Sequence, residues 1–329
     1  MGILYDVADL KTWGFMAFVL LGLIAFNELG RAKKWSGILL FIFVPLVLTI
    51  FVWPKTAALG NEYGTGTWFT WVKTYSALAG CIGFMLIRYI PKIEHSKFAI
   101  YFPPVILAAN IFEAVLRDFQ VFSWGLTQGD YVANLWTISG PWNIMNGIAG
   151  IFNILLICGW AGIFVSKEKT KDMMWPDMGW VYILTYDLWN FAYTYNCISD
   201  HSAYCGMLLL LSCTIPAIFI KKGCWLQHRA QTLAFWAMFI MTVPMFADRI
   251  APVPTTHNPT AFFIVSFLAL ISNVGLFAYQ TYIAIKAKKN PLKDELYTHS
   301  KTYKKLYAKI KHKPTTRRVL YLNRALLNS

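Results

Sequence analysis

Charged residues are scarce in this chain: they make up 14% of its 329 residues, while 57% are hydrophobic and 17% aromatic. A soluble domain of this length needs far more charge on its surface. The composition therefore excludes an ordinary water-soluble protein and fits a multi-pass helical membrane protein. Acid is the scarcer sign, with 16 Asp and Glu against 30 Lys and Arg. The formal charge of +14 would suit a nucleic-acid binder. However, the bases fall in short clusters between apolar runs and in the C-terminal tail, which is what the positive-inside rule produces. No nucleic-acid partner is expected, because no recognition motif accompanies the charge.

Other absences narrow the chemistry. The six cysteines show no zinc-type spacing, and no HExxH run or Gly-flanked serine elbow is present. The last apolar segment has no lysine in its middle for a retinal Schiff base. The opening MGILYDVADLK carries Asp6 and Asp9 where a signal peptide would carry bases. No two-fold internal repeat of the kind common in transporters is visible. Asp200, His201, Asp248 and His257 stand at one level of the chain and could be weighed as metal ligands, but their spacing supports no site. No cofactor and no metal are expected. Cys197 and Cys205 could bridge the short link between the sixth and seventh apolar segments in an oxidising setting.

What the chain has in abundance is apolar length. Nine segments, approximately 12–30, 36–53, 67–90, 98–118, 142–165, 176–198, 202–220, 228–247 and 260–286, are long enough to cross about 30 Å of hydrocarbon at about 1.5 Å per residue. The loops alternate. Arg31, Lys33 and Lys34 follow the first segment, and Arg88, Lys92 and Lys97 the third. Lys167, Lys169 and Lys171 follow the fifth, and Lys221, Lys222 and Arg229 surround the link after the seventh. The intervening loops are poor in bases, so the N-terminus is expected outside and the C-terminus in the cytoplasm. The reading is an all-α polytopic bundle over residues 1–290, followed by a basic cytoplasmic tail, 291–329. There, Tyr303, Leu306, Tyr307 and Ile310 form the apolar face of an amphipathic helix among lysines, suited to the anionic inner leaflet.

Polar residues interrupt three neighbouring segments. The stretch 182–204, YILTYDLWNFAYTYNCISDHSAY, carries Asp187, Asn190 and Thr194 at i, i+3 and i+7. An acid near the centre of a span costs about 2.5–3.5 kcal/mol on insertion scales and must face protein or water. The fourth segment carries Asn110, Glu113 and Arg117, with Asp118 beside them; the fifth carries Asn143, Asn146 and Asn153. Lys73 enters from the third and could neutralise Asp187 or Glu113. Glu113–Arg117 would also pair on one helix. These groups could simply satisfy one another as interhelical hydrogen bonds. The competing reading is an aromatic-walled cavity open to the outside, with Lys73, Asn110, Glu113, Arg117, Asn143, Asn146, Asp187 and Asn190 as its substrate-binding groups.

Several motifs are long enough to compare: VWPKTA, GTWFTWVKTYSALAGCIGFM, GPWNIMNGIAGIFNIL, YDLWNFAYTYNCISDHS, LLSCTIPAIFIKKG, WLQHRAQTLA and NPLKDELY. Over about residues 12–298 the chain resembles an uncharacterised bacterial integral-membrane family, a domain of unknown function. The resemblance implies a multi-pass protein of the cell (inner) membrane and brings no activity or site residue with it. The leading functional expectation is a transporter or permease-like protein for a small polar or charged solute. A membrane-embedded enzyme with an extracytoplasmic active site is the alternative, and a receptor is third.

Overall fold

The computed structural model describes residues 2–6, 9–63 and 65–307. Among them, nine long helices carry the nine apolar segments: α1 (Leu10–Ala32), α2 (Lys34–Ala57), α3 (Trp68–Tyr89), α4 (Lys97–Ser123), α5 (Pro141–Leu155), α6 (Trp180–Cys197), α7 (Ala203–Ile220), α8 (Trp225–Thr242) and α9 (Pro259–Ala287). Six of these, α1 to α4, α7 and α9, are long and apolar enough to cross a membrane. A short helix, α10 (Lys301–Tyr307), lies in the tail, and a single turn, Pro91–Glu94, links α3 to α4.

Local chemistry accounts for the helix ends. The Asp9 carboxylate accepts from the Lys11 N–H at the start of α1. Asn258 does the same for Thr260 at α9, where Pro259 occupies the first helical position and needs no donor. At α5, Pro141 opens the helix and the Asn143 side chain reaches back to the Gly140 N–H at 2.9 Å. In α2, two π-helical stretches, Leu39–Phe43 and Leu48–Val52, flank Pro45, which has no N–H to give the ladder.

The expected fifth span, 142–165, is helical only as far as Leu155. Beyond it the chain turns at Gly159, in the left-handed region at φ +63°, where an added Cβ would stand 2.2 Å from the Asp177 carboxylate. It then forms a small hairpin, β1 (Phe164–Val165) with β2 (Met173–Met174). Apolar content alone does not separate this packed irregular stretch from a continuing helix. A second hairpin, pairing Asp130–Val132 with Leu135–Thr137, occupies the connection between α4 and α5.

The helices pack in two groups. Helices α4, α5, α6 and α9 enclose Ile111, Val115, Ala149, Trp189 and Ala269. Helices α1, α2, α3, α7 and α8 enclose Phe41, Trp53, Leu78, Tyr204 and Trp236. Asparagines fasten the first group internally. Asn153 of α5 donates to Asn273 of α9 at 2.8 Å, Tyr182 of α6 donates to Asn153 at 3.1 Å, and Asn196 donates to Ser266 at 2.9 Å. Here the structural role of buried asparagines holds: Asn153 and Asn196 each join two helices inside the core.

The two groups share core through Phe84 of α3, Cys213 of α7 and Trp225 of α8, and at the end that carries the basic loops the α5–α6 connection packs on the second group. Asp172 lies there fully buried, with Arg31 of α1 at 3.0 Å, Lys221 at 3.6 Å and Arg88 of α3 at 3.8 Å. Thr170 and Gln227 also donate to it. Arg88 further donates to the carbonyls of Arg31, Thr170 and Lys171. Several bases that the sequence reads as loop charge are therefore structural. The described part of the tail docks at the same end. Asp177 accepts the backbone N–H groups of Leu296 and Tyr297, and Tyr303 donates to Glu295. Leu306 is buried with Phe164, Met174 and Cys224, so Tyr303 and Leu306, half of the expected amphipathic face, are covered by protein. Ile310 and the tail beyond it lie outside the described residues.

Candidate functional site

A cavity of about 350 Å³ lies between the two groups, walled by α3, α4, α6, α7 and α8. It runs from Trp68 and the Asp130–Thr137 hairpin, through Val132 and Ala133, down to Leu226 and Arg229 near the start of α8. Most of the wall is apolar and aromatic, and a few polar groups converge on it, the general form of a small-molecule site.

Lys73, Asn110, Arg117 and Asn190 line this cavity. Of the two carboxylates proposed for Lys73, the structure pairs it with Glu113, at 2.8 Å across α3 and α4. Glu113 and Arg117 form no ion pair with each other. Arg117 instead lies over the Trp124 ring at 4.7 Å and donates to Gln120 at 2.9 Å. Asn110 uses its amide N–H on the Ile106 carbonyl one turn back, and its side-chain oxygen is buried without a partner.

The remaining candidates face elsewhere. Asn143 caps α5. Asn146 donates at 2.7 Å to Asp118, which is fully buried and also takes a contact from the Cys197 thiol at 3.5 Å. Asp187 accepts from Thr214 of α7 at 2.7 Å, and Thr214 in turn accepts from the Trp225 indole. Its second oxygen is buried without a hydrogen bond, and among the described residues it has no ion-pair partner. Asp187→Asn is accordingly expected to leave the melting temperature of the solubilised protein unchanged or slightly raised. The amide oxygen can still accept from Thr214, and an unpaired charge is removed. A large fall would show that Asp187 holds a cation.

At the hairpin end, His201 pairs with Asp248 at 3.0 Å, and His257 with Asp200 at 2.8 Å while stacking on Trp136. His201 lines the cavity. Among the described residues, no group of three or more His, Cys, Asp or Glu side chains could hold a metal ion. Cys197 and Cys205 are both free thiols. Cys197 faces Asp118, while Cys205 accepts from the Trp236 indole at 3.1 Å, so their side chains are directed to different partners.

The residue missed by the sequence reading is Arg229. Grouped with the loop charge after α7, it is instead one turn inside α8, 8% exposed, and in the cavity wall. Its Nη2 donates to the Asn190 side-chain oxygen at 3.3 Å, and Tyr186 lies beside it with the guanidinium 5.9 Å from the ring centre. A signal was present. Gln227, His228, Arg229, Gln231 and Thr232 crowd the first two turns of an otherwise apolar helix, and all five are buried. So many polar groups in one run exceed what a helix end needs to meet water.

The family's sequence model matches residues 6–309, nearly the whole chain. The chain belongs to DUF5692, a family of unknown function. The extent of the DUF5692 match covers all nine long helices and both hairpins, so the cavity lies wholly within the family region. Neither the characterised proteins nor the solved structures gave a match to this chain.

Proposed function

We propose that this is a bacterial inner-membrane protein with nine spans, its N-terminus outside and C-terminus in the cytoplasm, in which the central cavity binds a small polar or charged solute for passage across the membrane. The observation that carries the reading is the buried Arg229–Asn190 pair in a cavity between two helix groups. Polar groups this deep are costly as stability devices, and transport sites lie between helix groups that can shift against each other. The clustering of Arg31, Arg88, Lys171 and Lys221 at one end supports the orientation. The exposed Lys301, Lys304 and Lys305 of α10 lie at that end, and their charge supports contact of the tail with an anionic inner leaflet.

A membrane-embedded enzyme with an extracytoplasmic active site is the second reading. The His201–Asp248 pair favours it, because a carboxylate-oriented imidazole at a cavity wall is a candidate general base. Untargeted metabolomics of cells with and without the gene separates the two. A changed intracellular solute supports transport, and a new or missing lipid species supports the enzyme. Reporter fusions test the orientation: those after Lys34, Lys169 and Lys288 should report cytoplasm, and those near Gln128, Asp200 and Asn258 the outside. Cytoplasmic signals at both 128 and 200 would refute the nine-span arrangement.

A further inference from the structure

The sign of the cavity wall narrows its ligand. Among the described residues, three cations line it, Lys73, Arg117 and Arg229, and no Asp or Glu does. Glu113, which is not in the wall, pairs with Lys73 at 2.8 Å. Arg229 is the exceptional member. Its Nη2 donates to Asn190, and its Nε and Nη1 are buried without a well-formed hydrogen bond, although the Tyr186 side chain and the Asp187 carboxylate stand near the guanidinium. A desolvated guanidinium with unused N–H groups is expensive unless an acceptor completes it, and a carboxylate or phosphate is the acceptor its geometry suits. Around it the wall is hydrocarbon: Phe84, Leu107, Leu209, Leu226 and Leu233. The volume, about 350 Å³, lies at the lower end of the range for small-molecule sites, roughly 300–1,000 Å³, and far short of a two-chain lipid.

We propose that the cavity binds a free single-chain organic anion, a carboxylate or phosphate monoester on an apolar body, with the anionic head on the Arg229 guanidinium. This rests on the solute-cavity reading above and adds the ligand class. Apolar walls take the body by burial of hydrocarbon, while Arg229 and Asn190 orient the head. The alternative is that Arg229 is neutralised by Asp187, whose charge acts on it.

The test uses the full chain in phosphatidylcholine nanodiscs, titrated with octanoate, octyl phosphate, octanol and octylamine, with empty nanodiscs as control. Both anions are expected to bind about tenfold or more tightly than octanol or octylamine. Arg229→Gln should remove that preference, as loss of a charge-assisted hydrogen bond predicts, while Arg229→Lys keeps part of it. The comparison among the four probes on the unaltered chain needs no variant to fold. Equal binding of octanol and octanoate overturns the proposal, as does an unchanged preference in a folded Arg229→Gln. A fall in melting temperature for Asp187→Asn matching that of Arg229→Gln would assign the guanidinium to Asp187, and also overturns it. Arg229-dependent loss of octanoate binding when phosphatidylglycerol replaces phosphatidylcholine would give the head group to a lipid, against the free-solute form. Cys205 separates the two levels of inference, since it lines the cavity while the other five cysteines are buried. If octanol or octylamine protects Cys205 from a small methanethiosulfonate and the anions do not, the cavity stands and the anion class falls. If Cys205 is inert and no probe binds, the cavity reading itself fails.

Discussion

Asp172→Ala is expected to lower the stability of the solubilised protein by about 3–5 kcal/mol, the range for removing one side of a buried ion pair. The carboxylate is completely buried and faces Arg31, Arg88 and Lys221, with Thr170 and Gln227 donating as well. Its removal leaves three cations crowded at a site where α1, α3 and the α7–α8 link meet. Their secondary partners do not replace it. Arg31 retains Glu28, Lys221 retains Glu168, and Arg88 retains backbone carbonyls. Glu28 and Glu168 are 34% and 45% exposed, and the carbonyls facing Arg88 carry no net charge. Glu168→Gln serves as the control: that carboxylate is 45% exposed, so its loss should cost about 1 kcal/mol or less. Thermal unfolding in detergent, followed by size-exclusion recovery, checks both. Equal melting of the Asp172→Ala and Glu168→Gln proteins would show that the buried carboxylate is not the organising charge.

The second large effect is steric. At Gly150 of α5, an added Cβ would stand 2.4 Å from Val115 of α4 and 2.6 Å from the Trp189 indole nitrogen of α6. Trp189 is fully buried and Val115 nearly so, and neither can yield into solvent. Gly150→Ala should therefore force α5 away from both neighbours at a cost of about 1–3 kcal/mol, as overpacking does elsewhere, and Gly150→Leu should prevent recovery of folded protein. Adding Val115→Ala to Gly150→Ala should restore part of the loss, because one of the two obstructions is removed and the sites are in contact. A Gly150→Ala protein that melts like the parent would mean that the three helices are not packed this closely. Small residues at a helix crossing allow backbones to approach where no hydrophobic driving force draws helices together.

Each of the nine apolar segments carries a long helix in the structure, most with ends within a few residues of those expected, the fifth only as far as Leu155. That much is local. A long apolar run must satisfy its own backbone hydrogen bonds, and capping residues such as Asp9 and Asn258 sit immediately before the runs they cap. The fifth segment failed at its end because Ile157, Cys158 and Ile163 are buried by packing around Trp175 and the tail rather than by continuing a helix. Hydrophobicity records burial without recording backbone form.

The polar stripes were legible as stripes, but their destinations were not. Asp187 and Asn190 are separated by three residues on α6, about 60° around the helix axis. That angle is enough for Asn190 to face the cavity and Arg229 while Asp187 turns to Thr214 on α7. Likewise, Asn143, Asn146 and Asn153 share one side of α5 yet serve as a cap, a partner for Asp118 and a link to Asn273. The sequence alone determined the helices, their order and the shortage of acid among many bases. Only the tertiary structure decided which base serves which purpose. Arg31, Arg88 and Lys221 look like Arg229 in a list of charges near helix ends, but three of them converge on one buried carboxylate and the fourth faces a cavity. A charge takes its role from what lies within a few ångströms of it, and for these residues those neighbours come from helices distant in the chain.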